Sequence, residues 1–326
     1  MLDKSLEKQY NDYLEVFMQL KKKLKFKVQK EIIAMISSIY IINEKEFDLE
    51  DLLDVSKYIK NNVGMFSYLR SHQKYIIAAM LITNHENPKE KFHDFIKYQD
   101  KLIEGGFKKG SYTAIAALAL MTTNSECKTI EKRVDKALEI YKGMKSNHFF
   151  LTSQNDYPLA VLLSQFNKST EILMEDVEKF YTKLSISNFK KGNDLQLLSH
   201  ILMLSREDAV DRLVNKCNKI YERLTNRKIK LKKSCYPQVG LIAIINSDLN
   251  EEIDSIEKLV TRLNSDKRFK YMKTINLIIS TSLVTKNKVK DKNLIETGLS
   301  TTIETIIQAQ NAALIGAMVA SSSTAT

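Results

Sequence analysis

The stretch EIYKGM at residues 139–144 recurs in form as KFYTKL at 179–184 and as KIYERL at 219–224. The tyrosines of the three stretches follow one another at intervals of 40 residues. The apolar residues around each tyrosine keep the spacing i, i+3, i+6, i+7 and i+10, which is typical of an amphipathic helix. We therefore predict one helix in each copy, and further copies with small slips on both sides.

A second, more hydrophobic segment follows each of these helices. The five segments are SYTAIAALALM, DYPLAVLLSQF, NDLQLLSHILML, CYPQVGLIAII and KTINLIISTSLV. Each is preceded by a bulky residue, in chain order Phe107, Phe149, Phe189, Ile229 and Phe269. Small residues in the segments, such as Gly240, would let neighbouring helices approach closely. The unit is thus a helical hairpin of about 40 residues, and we predict an all-α fold, an α-solenoid of the HEAT or armadillo type.

The domain organisation follows from this repeat. Five hairpins are predicted between residues 88 and 287, and residues 1–87 are predicted to form helices that pack on the array. Residues 288–320 are predicted to form a C-terminal capping helix, and residues 321–326 a disordered tail. The apolar run AALIGAMVA is far shorter than the roughly 20 residues that a membrane span needs, so we predict no transmembrane segment.

Composition limits the possible functions. Among 326 residues only 9 are Gly and 3 are Pro, which argues against β-rich folds with many turns. Cys127, Cys217 and Cys235 are far apart and form no CxxC pair, so we expect neither a zinc site nor disulfides and favour a cytoplasmic location. Metal-ligand, phosphate-loop and nucleophile-elbow motifs are absent from the sequence, which therefore predicts no metal or cofactor and identifies no enzyme.

The turn within the second hairpin is the longest of the five. It reads HFFLTSQNDYP at residues 148–158 and carries hydroxyl, amide and carboxylate groups where other copies carry lysines. An insertion in one repeat falls in a loop, often on the binding face. The candidate ligand-binding residues around this turn are His148, Asp156, Tyr157, Asn193 and His200.

Helix capping is the competing interpretation of these polar residues. Ser153 with Asp156, and Asn193 with Gln196, have the form of capping boxes that satisfy free N–H groups at a helix start. His200 lies in an apolar helix and fits a hydrogen-bonded core histidine. Capping and ligand binding do not exclude each other, because exposed helix N-termini also bind anions.

Basic residues cluster at the turns of the hairpins. FKKG occurs at 107–110 and again at 189–192, and further lysines and arginines occupy the later turns. Equivalent positions stack in a solenoid, so we predict a basic ridge along one edge that binds an anionic partner. The candidate ridge residues are Lys108, Lys109, Lys190, Lys191, Lys230, Lys232, Lys233, Arg268 and Lys270. Cations also stabilise helix C-termini, which accounts for one or two per turn but not for five.

Four stretches carry a resemblance to a known family: HFFLTSQNDYPLAVLLS, KGNDLQLLSHIL, FSYLRSHQKYIIAAML and EIYKGMKSNH. They are similar to an uncharacterised bacterial family, domain of unknown function 4003. The resemblance covers most of the chain but not its C-terminal tail. It implies a bacterial cytoplasmic protein and supplies no activity.

Three functions are compatible with the sequence. The first is a non-catalytic interaction scaffold that binds a protein or peptide partner. The second is binding of nucleic acid or another polyanion backbone through the ridge, although the lack of Trp argues against single-strand stacking modes. The third is a small-molecule binder or enzyme centred on the turn at 148–157. The sequence predicts no particular oligomeric state.

Overall fold

The described part of the chain is entirely helical outside its turns and loops. A computed structural model describes residues 2–65, 67–122, 129–205, 210–245 and 249–289. No β-strand occurs among these residues, which confirms the predicted all-α class. The predicted capping helix at 288–320, apart from its first two residues, and the predicted tail at 321–326 lie outside the described residues.

The described residues form fourteen α-helices and three short 3₁₀ turns. The helices are α1 (Lys4–Leu24), α2 (Lys30–Ile42), α3 (Leu49–Asn61), α4 (Gln73–Asn84), α5 (Pro88–Glu104), α6 (Ser111–Thr122), α7 (Ile130–Asn147), α8 (Tyr157–Leu163), α9 (Thr170–Ser185), α10 (Asn193–Met203), α11 (Val210–Asn226), α12 (Tyr236–Ile244), α13 (Leu249–Ser265) and α14 (Lys273–Val289). The 3₁₀ turns are Tyr68–Arg70, Gln154–Asp156 and Lys233–Cys235.

Amphipathic helices alternate with largely buried ones, as the two kinds of segment in the sequence predict. Helix α11 buries a single stripe that includes Val214, Cys217 and Ile220, and exposes charged residues on its other side. Every residue of the following helix, α12, is buried. Pro237 lies in the first turn of α12, where a missing N–H removes no bond within the helix.

The described residues divide into two compact units. The N-terminal unit contains residues 8–139 and 154–165. The C-terminal unit contains residues 2–7, 140–153 and 166–289, with the gaps given above. Helix α7 contributes to both units, because the boundary between Glu139 and Ile140 falls within it. The domain boundaries expected from the repeat stay a prediction.

In the N-terminal unit, neighbouring helices pack in pairs and the pairs pack on each other. Helix α3 packs on α4, and α5 packs on α6. Contacts of α2 with α4, of α4 and α3 with α5, and of α6 with α8 join these pairs. The side chain of Asp48 caps α3 by accepting hydrogen bonds from the N–H groups of Glu50 and Asp51.

In the C-terminal unit, three pairs follow in chain order: α9 with α10, α11 with α12, and α13 with α14. The second helices of the pairs pack on one another in sequence, α10 on α12 and α12 on α14, and so do the first helices α9, α11 and α13. Gly240 lets α12 approach α10, because a Cβ atom at this position would lie 2.8 Å from Leu198 Cδ1. The close approach expected at this glycine is therefore confirmed.

One kind of polar contact recurs in the C-terminal unit. In each case a residue that follows α7, α9 or α11 contacts the next amphipathic helix, α9, α11 or α13, at a position 30 residues further along the chain. The three contacts are His148 Nε2 with Glu178 Oε2 at 2.9 Å, Asn188 Nδ2 with Asn218 Oδ1 at 3.2 Å, and Arg227 with Glu257. Equivalent contacts between successive amphipathic helices are thus made by three different pairs of side chains.

Candidate functional site

The five candidate ligand-binding residues fall into both units. His148, Asn193 and His200 belong to the C-terminal unit, and Asp156 and Tyr157 belong to the N-terminal unit. The site that combines all five stays a prediction.

In the N-terminal unit, Tyr157 makes a packing contact with the preceding turn. Its ring meets the Phe107 ring edge-on with 4.8 Å between centroids, and its hydroxyl accepts a hydrogen bond from the Lys108 N–H at 3.4 Å. Asp156 is buried. The pKa of the Tyr112 hydroxyl is raised, first by the burial of Tyr112 and second by the charge of Asp156. This geometry gives Tyr157 a structural role at the start of α8.

The same arrangement recurs in the C-terminal unit at the start of α12. The Tyr236 ring meets the Phe189 ring edge-on at 4.9 Å, and its hydroxyl accepts from the Lys190 N–H at 3.1 Å. In each unit, therefore, an aromatic pair and one hydrogen bond join a turn to the start of a later buried helix, α8 or α12. Sequence reasoning aligned these tyrosines but did not predict their contact with the phenylalanines.

A polar contact joins the turn after α7 to α10 of the C-terminal unit. Gln196 Nε2 donates to Thr152 Oγ1 at 2.9 Å, and Thr152 Oγ1 donates to the Met144 carbonyl at 3.1 Å. Both side chains are buried. The capping box expected from Asn193 and Gln196 does not form: the N-cap position of α10 is Gly192, with φ of +147°, and no side chain caps the helix. Gln196 is used for tertiary packing instead.

His148 and His200 have different environments. The His148 ring lies 4.4 Å from the Tyr181 ring and is partly exposed, with Nε2 bonded to Glu178. His200 is buried, and its Nδ1 lies 2.6 Å from the Gln196 carbonyl, which can only accept, so Nδ1 carries the proton. Burial lowers the pKa of His200 to about 4, and the nearby His148 acts in the same direction. His200 is therefore a neutral core histidine, as the competing interpretation expected.

Asn193 is the remaining candidate of the C-terminal unit. It is the first residue of α10 and is partly buried. Its Oδ1 is buried and accepts no hydrogen bond from the described residues. Gln196 Oε1 and His200 Nε2 are in the same condition.

The turn after α7 carries two exposed aromatic residues. Phe107, Phe189 and Phe269 are at most 2% exposed, but Phe149, which the repeat aligned with them, is 62% exposed and Phe150 is 95% exposed. The two rings lie edge to face at 5.4 Å, and Lys145 Nζ lies over the Phe149 ring at 5.2 Å. Phe149 is thus not the buried anchor of its turn.

The ridge residues are likewise divided between the units. Lys108 and Lys109 are exposed in the N-terminal unit, and the other seven belong to the C-terminal unit. There the lysines are exposed, whereas Arg268 is partly buried and bonds both carboxylate oxygens of Asp266. The charge of Arg268 is therefore compensated locally.

Two neighbouring turns bring four of these lysines together. Lys233 Nζ donates to the Lys191 carbonyl at 3.3 Å, so the turn before α12 touches the turn before α10. Burial raises the pKa of the Asp194 carboxyl beside them, and the Lys233 charge opposes that rise. We call the exposed set in the C-terminal unit the turn surface. Its residues are Phe149, Phe150, Lys190, Lys191, Lys232 and Lys233.

The sequence matches the family described as "Protein of unknown function (DUF4003)" over residues 16–312, most of its length. The chain belongs to this family. One relative is the "Uncharacterized protein YeaA" of Bacillus subtilis (strain 168), which is 36% identical over 323 residues, or 98% of this chain and 97% of the relative. No solved structure matches the chain.

Two further properties of this DUF4003 member concern the described residues only. None of their helices is both long and apolar enough to cross a membrane. Among them, no group of three or more His, Cys, Asp or Glu side chains is placed to hold a metal ion. The DUF4003 chain also buries Cys217 and Cys235, and burial raises the pKa of the Cys235 thiol to about 11.

Proposed function

We propose that this protein is a non-catalytic scaffold that binds an anionic protein partner through the turn surface. The observation that carries the proposal is the juxtaposition of four exposed lysines from two successive turns. None of these lysines has an ion-pair partner among the described residues, whereas Arg227 and Arg268 are both paired with carboxylates. Exposed cations that form no ion pair of their own attract an anionic partner.

The proposal includes the α-solenoid architecture. Three helix pairs in chain order, two layers of like helices, and polar contacts at a constant separation of 30 residues support a HEAT- or armadillo-like array in the C-terminal unit. A solenoid places equivalent turns side by side along one edge. Stacked turns then give an extended surface, which suits a protein or peptide partner better than a small molecule.

Binding is favoured over catalysis because three of the five candidate polar residues have packing partners. Tyr157 is bonded to a backbone N–H, His148 to Glu178, and His200 to a backbone carbonyl. The pKa of His200 is about 4, so its ring is neutral near pH 7 and is poorly matched to general acid or base catalysis at that pH. Scaffolding of a partner is the simpler use of the surface.

Charge reversal at the turn surface tests the proposal. A four-lysine variant carries Lys190→Glu, Lys191→Glu, Lys232→Glu and Lys233→Glu. It should bind fluorescein-labelled poly-L-glutamate with an affinity at least about 30-fold lower than that of the unchanged chain, because each lysine contributes roughly 0.5 kcal/mol or more to the binding free energy. Fluorescence anisotropy at low salt measures this affinity, which should also fall as salt rises.

A matched control distinguishes the surface from net charge. Lys22, Lys23, Lys25 and Lys27 are exposed lysines of the N-terminal unit, and reversing all four changes the net charge by the same amount. This control should retain most of the affinity. Equal weakening in both variants, or no binding of poly-L-glutamate by the unchanged chain, would contradict the proposal.

A further inference from the structure

We propose that the partner is an acidic peptide segment that carries an aromatic or large aliphatic anchor residue. The inference rests on the proposed function and adds the chemistry of the partner. Carboxylates of the segment pair with the lysines of the turn surface, and its apolar anchor packs against Phe149 and Phe150.

The apolar half of the surface consists of the two exposed rings. Single exposed apolar residues are common on proteins, but adjacent ones mark interaction sites more often. Phe149 and Phe150 are adjacent, lie at right angles with an interplanar angle of 89°, and form a corner that an aromatic or aliphatic side chain can fill. Ile186, which is 82% exposed just after α9, adds apolar surface at the next turn.

Tyr181 connects the apolar half to the basic half. Its ring lies against His148, the neighbour of Phe149, and its hydroxyl accepts a hydrogen bond from the Gly192 N–H at 3.3 Å. Gly192 directly follows Lys191. Phe149 and Lys191 are therefore each one residue away from a group that contacts Tyr181, which places the two halves next to each other.

The details of the surface favour a peptide over a nucleic acid. Lys145 lies over the Phe149 ring, and the Phe150 ring meets it at right angles. Phe150 alone then offers an open ring face, whereas single-strand binding stacks successive bases on several aromatic side chains. Glu178 bonds His148 at the turn after α7, and Asp194 lies beside Lys233. Both carboxylates would repel the evenly spaced phosphates of a nucleic-acid backbone. The carboxylates of a peptide need not be evenly spaced, so they can lie opposite the lysines and away from Glu178 and Asp194.

Two labelled peptides of equal length and equal charge test the inference. In one, glutamates alternate with Gly and Ser; in the other, Phe and Leu replace some of the spacers. Each is titrated with the full chain by fluorescence anisotropy, alongside a single-stranded oligonucleotide of the same charge. The peptide with apolar residues should bind about tenfold more tightly than the other.

Aromatic variants then locate the anchor site. Phe149→Ser with Phe150→Ser should abolish the tenfold preference, and circular dichroism should show unchanged helix content because both rings are exposed. Phe26→Ser is the control, since Phe26 is 91% exposed in the N-terminal unit and also has a lysine over its ring. This control should keep the preference.

The outcomes separate the inference from the proposed function. If both peptides bind equally and only the lysine reversal weakens them, the anchor is wrong and the scaffold proposal stands. If the oligonucleotide binds more tightly than either peptide and the Phe149 and Phe150 changes have no effect, the partner class is wrong. If neither peptide binds, the proposed function itself fails.

Discussion

Replacing Phe189 by Ala is expected to lower the free energy of unfolding by about 3–5 kcal/mol. The Phe189 ring is 1% exposed and packs edge-on against Tyr221 and Tyr236, so its removal leaves a cavity where the turn before α10 meets α11 and α12. The Lys190 N–H, which bonds Tyr236, would also lose its fixed position. Urea denaturation followed by circular dichroism measures the change.

Phe149→Ala is the matched control for this variant. The repeat aligns Phe149 with Phe189, yet its ring is 62% exposed, and surface substitutions usually change stability by no more than about 0.5 kcal/mol. Similar losses in the two variants would contradict the different roles that the structure gives these residues.

Acidification is expected to destabilise the protein through His200. Its pKa is lowered to about 4 in the folded chain and is near its ordinary value of 6.5 when unfolded, so the unfolded state binds the proton first. The neutral His200 ring makes its full contribution to the free energy of unfolding above about pH 6.5, and this contribution is lost as the pH falls towards 4. Each unit of pKa difference corresponds to about 1.4 kcal/mol, so roughly 2 kcal/mol is lost between pH 7 and pH 5.

His200→Asn isolates this contribution. The amide of Asn can still donate to the Gln196 carbonyl, as Nδ1 of the histidine does, but it does not titrate. The difference in unfolding free energy between pH 7 and pH 5 should therefore be roughly 2 kcal/mol smaller in the variant than in the unchanged chain. Equal pH dependence would show that His200 is not held neutral by burial.

The sequence was sufficient for the helices because their apolar spacing is strong. The stripes around Tyr181 and Tyr221 predict α9 and α11, and the apolar segments after them predict α10 and α12. Periodicity records which positions are apolar on one face, and burial of that face follows directly from it. The alternation of amphipathic and buried helices could be predicted for the same reason.

The turn after α7 could not be predicted in detail. The position of Phe149 within the 40-residue repeat aligned it with Phe107 and Phe189. This position does not show where the additional residues of a longer turn are accommodated, and the Phe149 ring is exposed. Thr152 is buried instead and bonds Gln196, a residue whose sequence position suggested a helix cap. Such a contact between residues 44 positions apart leaves no local signal.

The basic ridge illustrates a different limit. Clustering of lysines at the turns follows from the sequence, yet a count of charges does not show which are compensated. Arg268 pairs with Asp266 only two residues away, and this short-range pair could have been identified from spacing. The pairing of Arg227 with Asp254 and Glu257 depends on how α11 packs against α13 and needed the structure.

Amide hydrogen exchange of the full chain, with and without poly-L-glutamate, tests binding at the turn surface most directly. Bound polyanion should slow exchange at 149–153, 189–192 and 230–235 in the unchanged chain and not in the four-lysine variant, while 22–27 stays unaffected. Unchanged exchange at these turns in the presence of bound poly-L-glutamate, or protection only elsewhere, would contradict the assignment of the turn surface as the binding site.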